Sequence, residues 1–180
     1  MNFTTRVLAA AILLAVAILP TTVLGQGLYG STVEAELRYP TFASVIAGPL
    51  LAPVDTNVEF PPESLVPGRT FAIDVTDSQI FYYANETNTY GTSAFNGFTL
   101  DFTGAPTISS VTLDGLSTFA PVSYTWDANT VVINLSGLSV VPTDQLVFNV
   151  NTVPESSSIW MLGGCLGAAV VVAARRRSVR

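Results

Sequence analysis

Oxygen is the only ligand chemistry this chain offers in quantity. It has no histidine and no lysine, and its single cysteine, Cys165, lies in an apolar stretch near the C-terminus, where it reads as a small helix residue. These absences exclude a Ser-His-Asp relay, a Ser-Lys pair, Schiff-base formation and a zinc site of the usual His/Cys type. Carboxylates remain. Of the thirteen acids only Glu155 falls outside residues 26–152, and of the seven arginines only Arg38 and Arg69 fall inside, so this span is near minus ten in charge. Two carboxylates flanking a glycosidic bond can hydrolyse it, but no spacing singles out a pair. No Gly-rich phosphate loop follows a strand, and the acidic balance repels nucleic acid. The expectation is a protein that is not an enzyme and holds no cofactor.

Three groups could still bind something. Asp74, Asp77 and Ser78 surround a turn and could offer oxygens to Ca²⁺, as could Asp127 with Asn129. Asp and Ser in turns also bond their own backbone, and that reading is favoured here. Tyr82, Tyr83 and Tyr90 could form an aromatic platform for sugar rings, or half-buried sheet edges. Asn85-Glu86-Thr87 and Asn134-Leu135-Ser136 fit the N-glycosylation pattern.

The elements that must position these residues have a period of two. Thr32 to Tyr39 alternates strictly, with Val33, Ala35, Leu37 and Tyr39 on one face and Thr32, Glu34, Glu36 and Arg38 on the other. Similar runs rich in Val, Ile, Thr, Phe and Tyr follow at 42–47, 57–60, 70–75, 79–84, 95–102, 108–113, 122–126, 130–135 and 145–150. Pro61-Pro62, Pro67-Gly68, Asp114-Gly115 and Asp127-Ala128-Asn129 are among the turn signals between them. About ten short strands with no helical stretch between them predict an antiparallel β-sandwich. Its expected core is Phe71, Ile73, Val75, Phe98, Leu100, Phe102, Val111, Leu113, Val131, Ile133, Leu135, Leu146, Phe148 and Val150. The polar stretch 85–93 reads as a long exposed loop. With no cysteine in residues 26–152, packing and strand pairing must hold the domain together.

Both ends carry addresses. Arg6, the thirteen-residue apolar run Val7 to Leu19, Pro20 and the small residues before Gln26 describe a secretory signal peptide, residues 1–25, cleaved between Gly25 and Gln26. At the other end, sixteen apolar residues, Ile159 to Ala174, span roughly 24 Å as a helix at about 1.5 Å each, just enough to cross with help from the flanks. Arg175, Arg176 and Arg177 follow and act as a stop-transfer signal. Each arginine costs about 2.5–3.5 kcal/mol at the bilayer centre, so the C-terminus stays cytoplasmic and residues 26–152 lie outside.

The tail 153–180 resembles the PEP-CTERM sorting signal of Gram-negative bacteria. Val153-Pro154-Glu155, the helix 159–174 and the arginine cluster match its three parts in order, although Ser156 stands where that family has a second proline. The resemblance implies handling by signal peptidase and then by an exosortase, a membrane protease-transpeptidase that removes the tail. It also implies transient residence in the inner membrane and delivery to the cell surface or the extracellular polysaccharide matrix. An ordinary C-terminal anchor is the alternative. The middle of the chain is similar to a recurrent group of exported PEP-CTERM proteins, through Val58-Glu59-Phe60, Ile73-Asp74-Val75, Phe95-Asn96-Gly97-Phe98, Asp127 with Val131 to Leu138, and Leu146 to Val150. That likeness implies an exported β-domain and no activity. The expected function is a non-enzymatic surface or matrix protein; a carbohydrate- or calcium-binding module of the matrix is the second expectation.

Overall fold

The strict alternation of Thr32–Arg38 becomes β1, with Val33, Ala35 and Leu37 buried and the charged residues on the opposite face. The computed structural model describes residues 27–153, which contain eleven strands and no helix. The proposed cleavage pair Gly25–Gln26, Pro154 and Glu155 of the sorting motif, the span 159–174 and Arg175 to Arg177 lie outside the described residues.

Two antiparallel sheets carry the fold. The first has the order β2-β1-β6-β9-β8, built from Val45–Pro53, Thr32–Arg38, Gly97–Thr103, Thr130–Asn134 and Ser123–Trp126. The second has the order β3-β4-β11-β7, from Ala72–Val75, Gln79–Tyr83, Gln145–Val153 and Thr107–Leu113. Their inner faces share one hydrophobic core. Rings from both sheets meet across it: Tyr82 lies 5.6 Å from Phe98, and Tyr124 5.1 Å from Phe148, centroid to centroid. Every residue of the expected core is buried except Leu113, which is half-buried against it.

Long-range hydrogen bonds join elements that the sequence pattern left separate. The Asp127–Asn129 turn ties the sheets at one end, because Ile108 N–H donates to Ala128 O and Phe102 N–H to Asn129 O. Where β7 stops, Ser117 continues as a partner for β11. Its hydroxyl accepts from Val147 N–H at 2.9 Å and donates to Val147 O at 3.1 Å. Gly97 sits where β9 passes so closely that a Cβ would run into Ile133 O.

The eleven strands agree with the expected count of about ten, but three expectations need correction. The run 57–60 is no strand: only Phe60 bridges, to Ile73, and the side chain of Glu59 takes over the next backbone donor. The run 42–47 is shifted, since β2 begins at Val45 and continues to Pro53 through a bulge in which Gly48 adopts φ +90°. The loop 85–93 is not simply exposed. Asn88–Thr89 forms β5, which pairs with β10, Ser139–Val140, and Tyr90 is buried.

Candidate functional site

The turn carboxylates are spent on backbone. Asp127 Oδ1 accepts from Asn129 N–H at 3.0 Å and Thr130 N–H at 2.9 Å, and these bonds, led by that to Asn129, hold its carboxyl below the ordinary carboxylate value. Asp74 and Asp77 do not converge. Asp77 accepts from Tyr29 N–H at 3.3 Å near the start of β1, whereas Asp74 points to Glu59. The turn between them is closed by Thr76, whose hydroxyl accepts from Gln79 N–H at 3.1 Å. Among the described residues no three acidic or other ligating side chains gather as a metal site would require.

Glu59 and Asp74 form a pair that spacing did not reveal. Glu59 is buried, and its carboxylate accepts from Val75 N–H at 2.6 Å and Asp55 N–H at 3.1 Å. Burial pushes the carboxyl above its ordinary value despite these bonds, and the charge of Asp74 pushes it further. Asp74 is raised as well, first by burial, while a hydrogen bond with the Glu59 carboxyl pulls it back. The site is structural: one oxygen of Glu59 caps the outer edge of β3 at Val75, and the other holds the loop at Asp55.

The tyrosines separate. Tyr82 and Tyr90 are 2% and 5% exposed, and their hydroxyls share a hydrogen bond of 2.8 Å in the core, so they form no platform. Burial pushes the Tyr82 phenol up to about 12, and raises Tyr90 too. Tyr83 is half-buried on the outer face of β4, stacked on Phe81 at 5.7 Å and 7°. Those two rings spend a face on each other. Asn134 of the second glycosylation pattern is likewise engaged, its Oδ1 accepting from Asn96 N–H and Ser136 N–H, both at 3.1 Å.

A concave site of about 260 Å³ opens instead between the β1–β2 corner and β5. Leu37, Ile46, Phe71 and the ring of Tyr39 supply its apolar walls, and Arg69, Asn88 and Asn96 its polar groups. Arg69 is anchored through one nitrogen only: Nη1 donates to Asn88 Oδ1 at 2.9 Å and to Glu86 Oε1 at 3.5 Å. Nε and Nη2 donate to nothing among the described residues. Asn88 lines the cavity beside Tyr90, whose hydroxyl is bonded to that of Tyr82 in the core. Asn96 is buried and donates to Gly91 O at 3.1 Å, leaving its Oδ1 without a donor among the described residues. No carboxylate lines the cavity.

Arg38, the other cation of the domain, contrasts with Arg69. It donates to Phe42 O at 2.7 Å, Glu36 at 2.5 Å and Thr99 at 3.3 Å, and lies 4.7 Å above the Phe42 ring. Its fork is fully used. Arg69 was in plain sight as one of two basic residues in an acidic span, but its partners lie at Glu86 and Asn88, too far along the chain for spacing to suggest them.

The chain matches no family model, no curated protein and no solved structure.

Proposed function

We propose that this protein is an exported, non-enzymatic β-sandwich of the cell surface or extracellular matrix, delivered by a signal peptide and released from a PEP-CTERM-like tail by an exosortase. The observation that carries this reading is positional. β11 brings the last strand out to Val153, half-exposed and the first residue of the Val-Pro-Glu motif, so all eleven strands precede Pro154. Cleavage after Val153 therefore leaves every described strand intact. The stop-transfer arginines 175–177 and the apolar span 159–174 fit a substrate held in the inner membrane until that cut. Carboxylates occupied with backbone, and a cavity with none in its wall, support a binding or structural role over glycoside hydrolysis.

The test is the intact mass of the protein recovered from outside the cell. The expected species begins near Gln26 and ends near Glu155. Exported material that retains Arg175 to Arg180 defeats the processing claim.

A further inference from the structure

We infer that the cavity at Arg69 is a binding site for one neutral pyranose unit of a glycan. The choice rests on what the free groups require. Arg69 presents unused donors, Asn96 presents an unused acceptor from a side chain only 8% exposed, and the walls between them are aromatic and aliphatic. A ligand must therefore accept and donate within one small body that also has an apolar face. Vicinal hydroxyls on a sugar ring do all three: each hydroxyl accepts and donates, and the ring's C–H face lies against Tyr39 or Phe71.

An anion fits worse. A carboxylate group would accept from Arg69 but offer no proton to Asn96 Oδ1, and a carboxylate or phosphate alike would approach Glu86, whose carboxylate already offsets the guanidinium at 3.5 Å. The surrounding domain, near minus ten, repels it as well. A purely apolar ligand leaves the guanidinium and the buried amide unpaired, and so is disfavoured. The cavity's size, about 260 Å³, lies just under the roughly 300 Å³ at which pockets for drug-sized ligands begin, which matches a single ring rather than a longer occupant. The bonds from Nη1 to Asn88 and Glu86 hold one end of the fork before any ligand arrives, so less ordering accompanies binding.

The source of such a glycan rests on the matrix role proposed above; the chemistry of the cavity does not. The test is a calorimetric titration of the full-length protein in a sugar-free zwitterionic detergent, with neutral hexoses and their α- and β-linked tetrasaccharides as probes, beside tetragalacturonate and inorganic phosphate. At least one neutral probe is expected to bind, with the Asn96 side-chain amide signals moving in parallel NMR spectra. Arg69→Ala is expected to weaken it at least tenfold, and Arg69→Lys nearly as much, because lysine keeps the charge and loses the fork. Arg69 is 48% exposed, so these variants leave the core untouched. Absence of binding by every neutral probe, stronger binding of tetragalacturonate or phosphate, or neutral binding indifferent to Arg69→Ala each overturns the proposal. Correctly cut termini together with no sugar binding would sink this site alone; sugar binding by a protein that keeps its tail would sink the sorting reading alone.

Discussion

Replacing Glu59 by alanine tests whether a side chain can stand in for a strand. On the free edge of β3, Ile73 exchanges two backbone hydrogen bonds with Phe60, each 3.0 Å, and the next outward donor, Val75 N–H, has only the Glu59 carboxylate at 2.6 Å. Val75 is fully buried, so its N–H cannot turn to water when the carboxylate goes. A buried donor left unpaired costs about 1–3 kcal/mol. Asp55 N–H is in an exposed residue and rehydrates at little cost. Part of the loss returns, because Glu59 is a desolvated carboxyl raised further by Asp74. The net expectation for Glu59→Ala is a destabilisation of about 1–2 kcal/mol, or about 4–8 °C in Tm for a domain of this size. Thermal melts of the full chain followed by circular dichroism measure it, and exchange of the Val75 amide, expected to quicken, locates it. Glu59→Gln keeps one acceptor oxygen and should lie between the two. A melt unchanged within a degree, with the Val75 amide still protected, would refute the edge-cap argument.

Two further outcomes follow from the same structure. Thr70 Oγ1 is buried without a partner among the described residues, so Thr70→Val should raise stability by about 1 kcal/mol, visible as a Tm higher by a few degrees. Glu59 and Asp74 bind protons more tightly folded than unfolded, so their contribution is full below the ordinary values of 4.5 and 3.8 and is lost as pH rises through the raised ones. Asp114 and Asp127 are lowered, chiefly by the backbone N–H of Leu116 and of Asn129, and their contribution is lost only as pH falls through their folded values. A plot of Tm against pH should therefore peak in mild acid, and Asp74→Asn should flatten its descent toward neutrality; a Tm rising steadily to pH 8 would contradict this.

The strands were legible where one face was wet and the other buried. In β1 the period of two places Val33, Ala35 and Leu37 inward without further information, as it does in β9 for Val131 and Ile133. Legibility failed where partners are distant and contacts are few. β5 and β10 have two residues each, too short for any period, and exist because Ser139 and Thr89 pair across fifty positions. Asn57 to Phe60 carries strand-like residues yet makes a single bridge, since the carboxylate of Glu59 satisfies the donor a second bridge would have used. Tyr82 and Tyr90 looked amphipathic enough to face a sugar. Their hydroxyls instead satisfy each other, which lets both rings enter the core.

The same accounting explains why the acid-rich composition pointed away from the site. Asp114, Asp127 and Asp144 each accept backbone N–H groups in turns, and Glu59 does so at a sheet edge, so much of the negative charge is committed to closing loops that no disulfide closes. A chain without cysteine in its β-domain must hold its loops in this way, and doing so consumes the lone pairs that a cation would need. The scarce residue type is then the informative one. With two guanidinium groups for the whole domain, one is bonded through all three nitrogens to Phe42, Glu36 and Thr99, and the other stands at a cavity with half its fork idle. A structural role for Arg69 would be served by its one nitrogen on Glu86 and Asn88; its remaining donors, at a cavity that Asn96 also lines, are what a bound polyol would use.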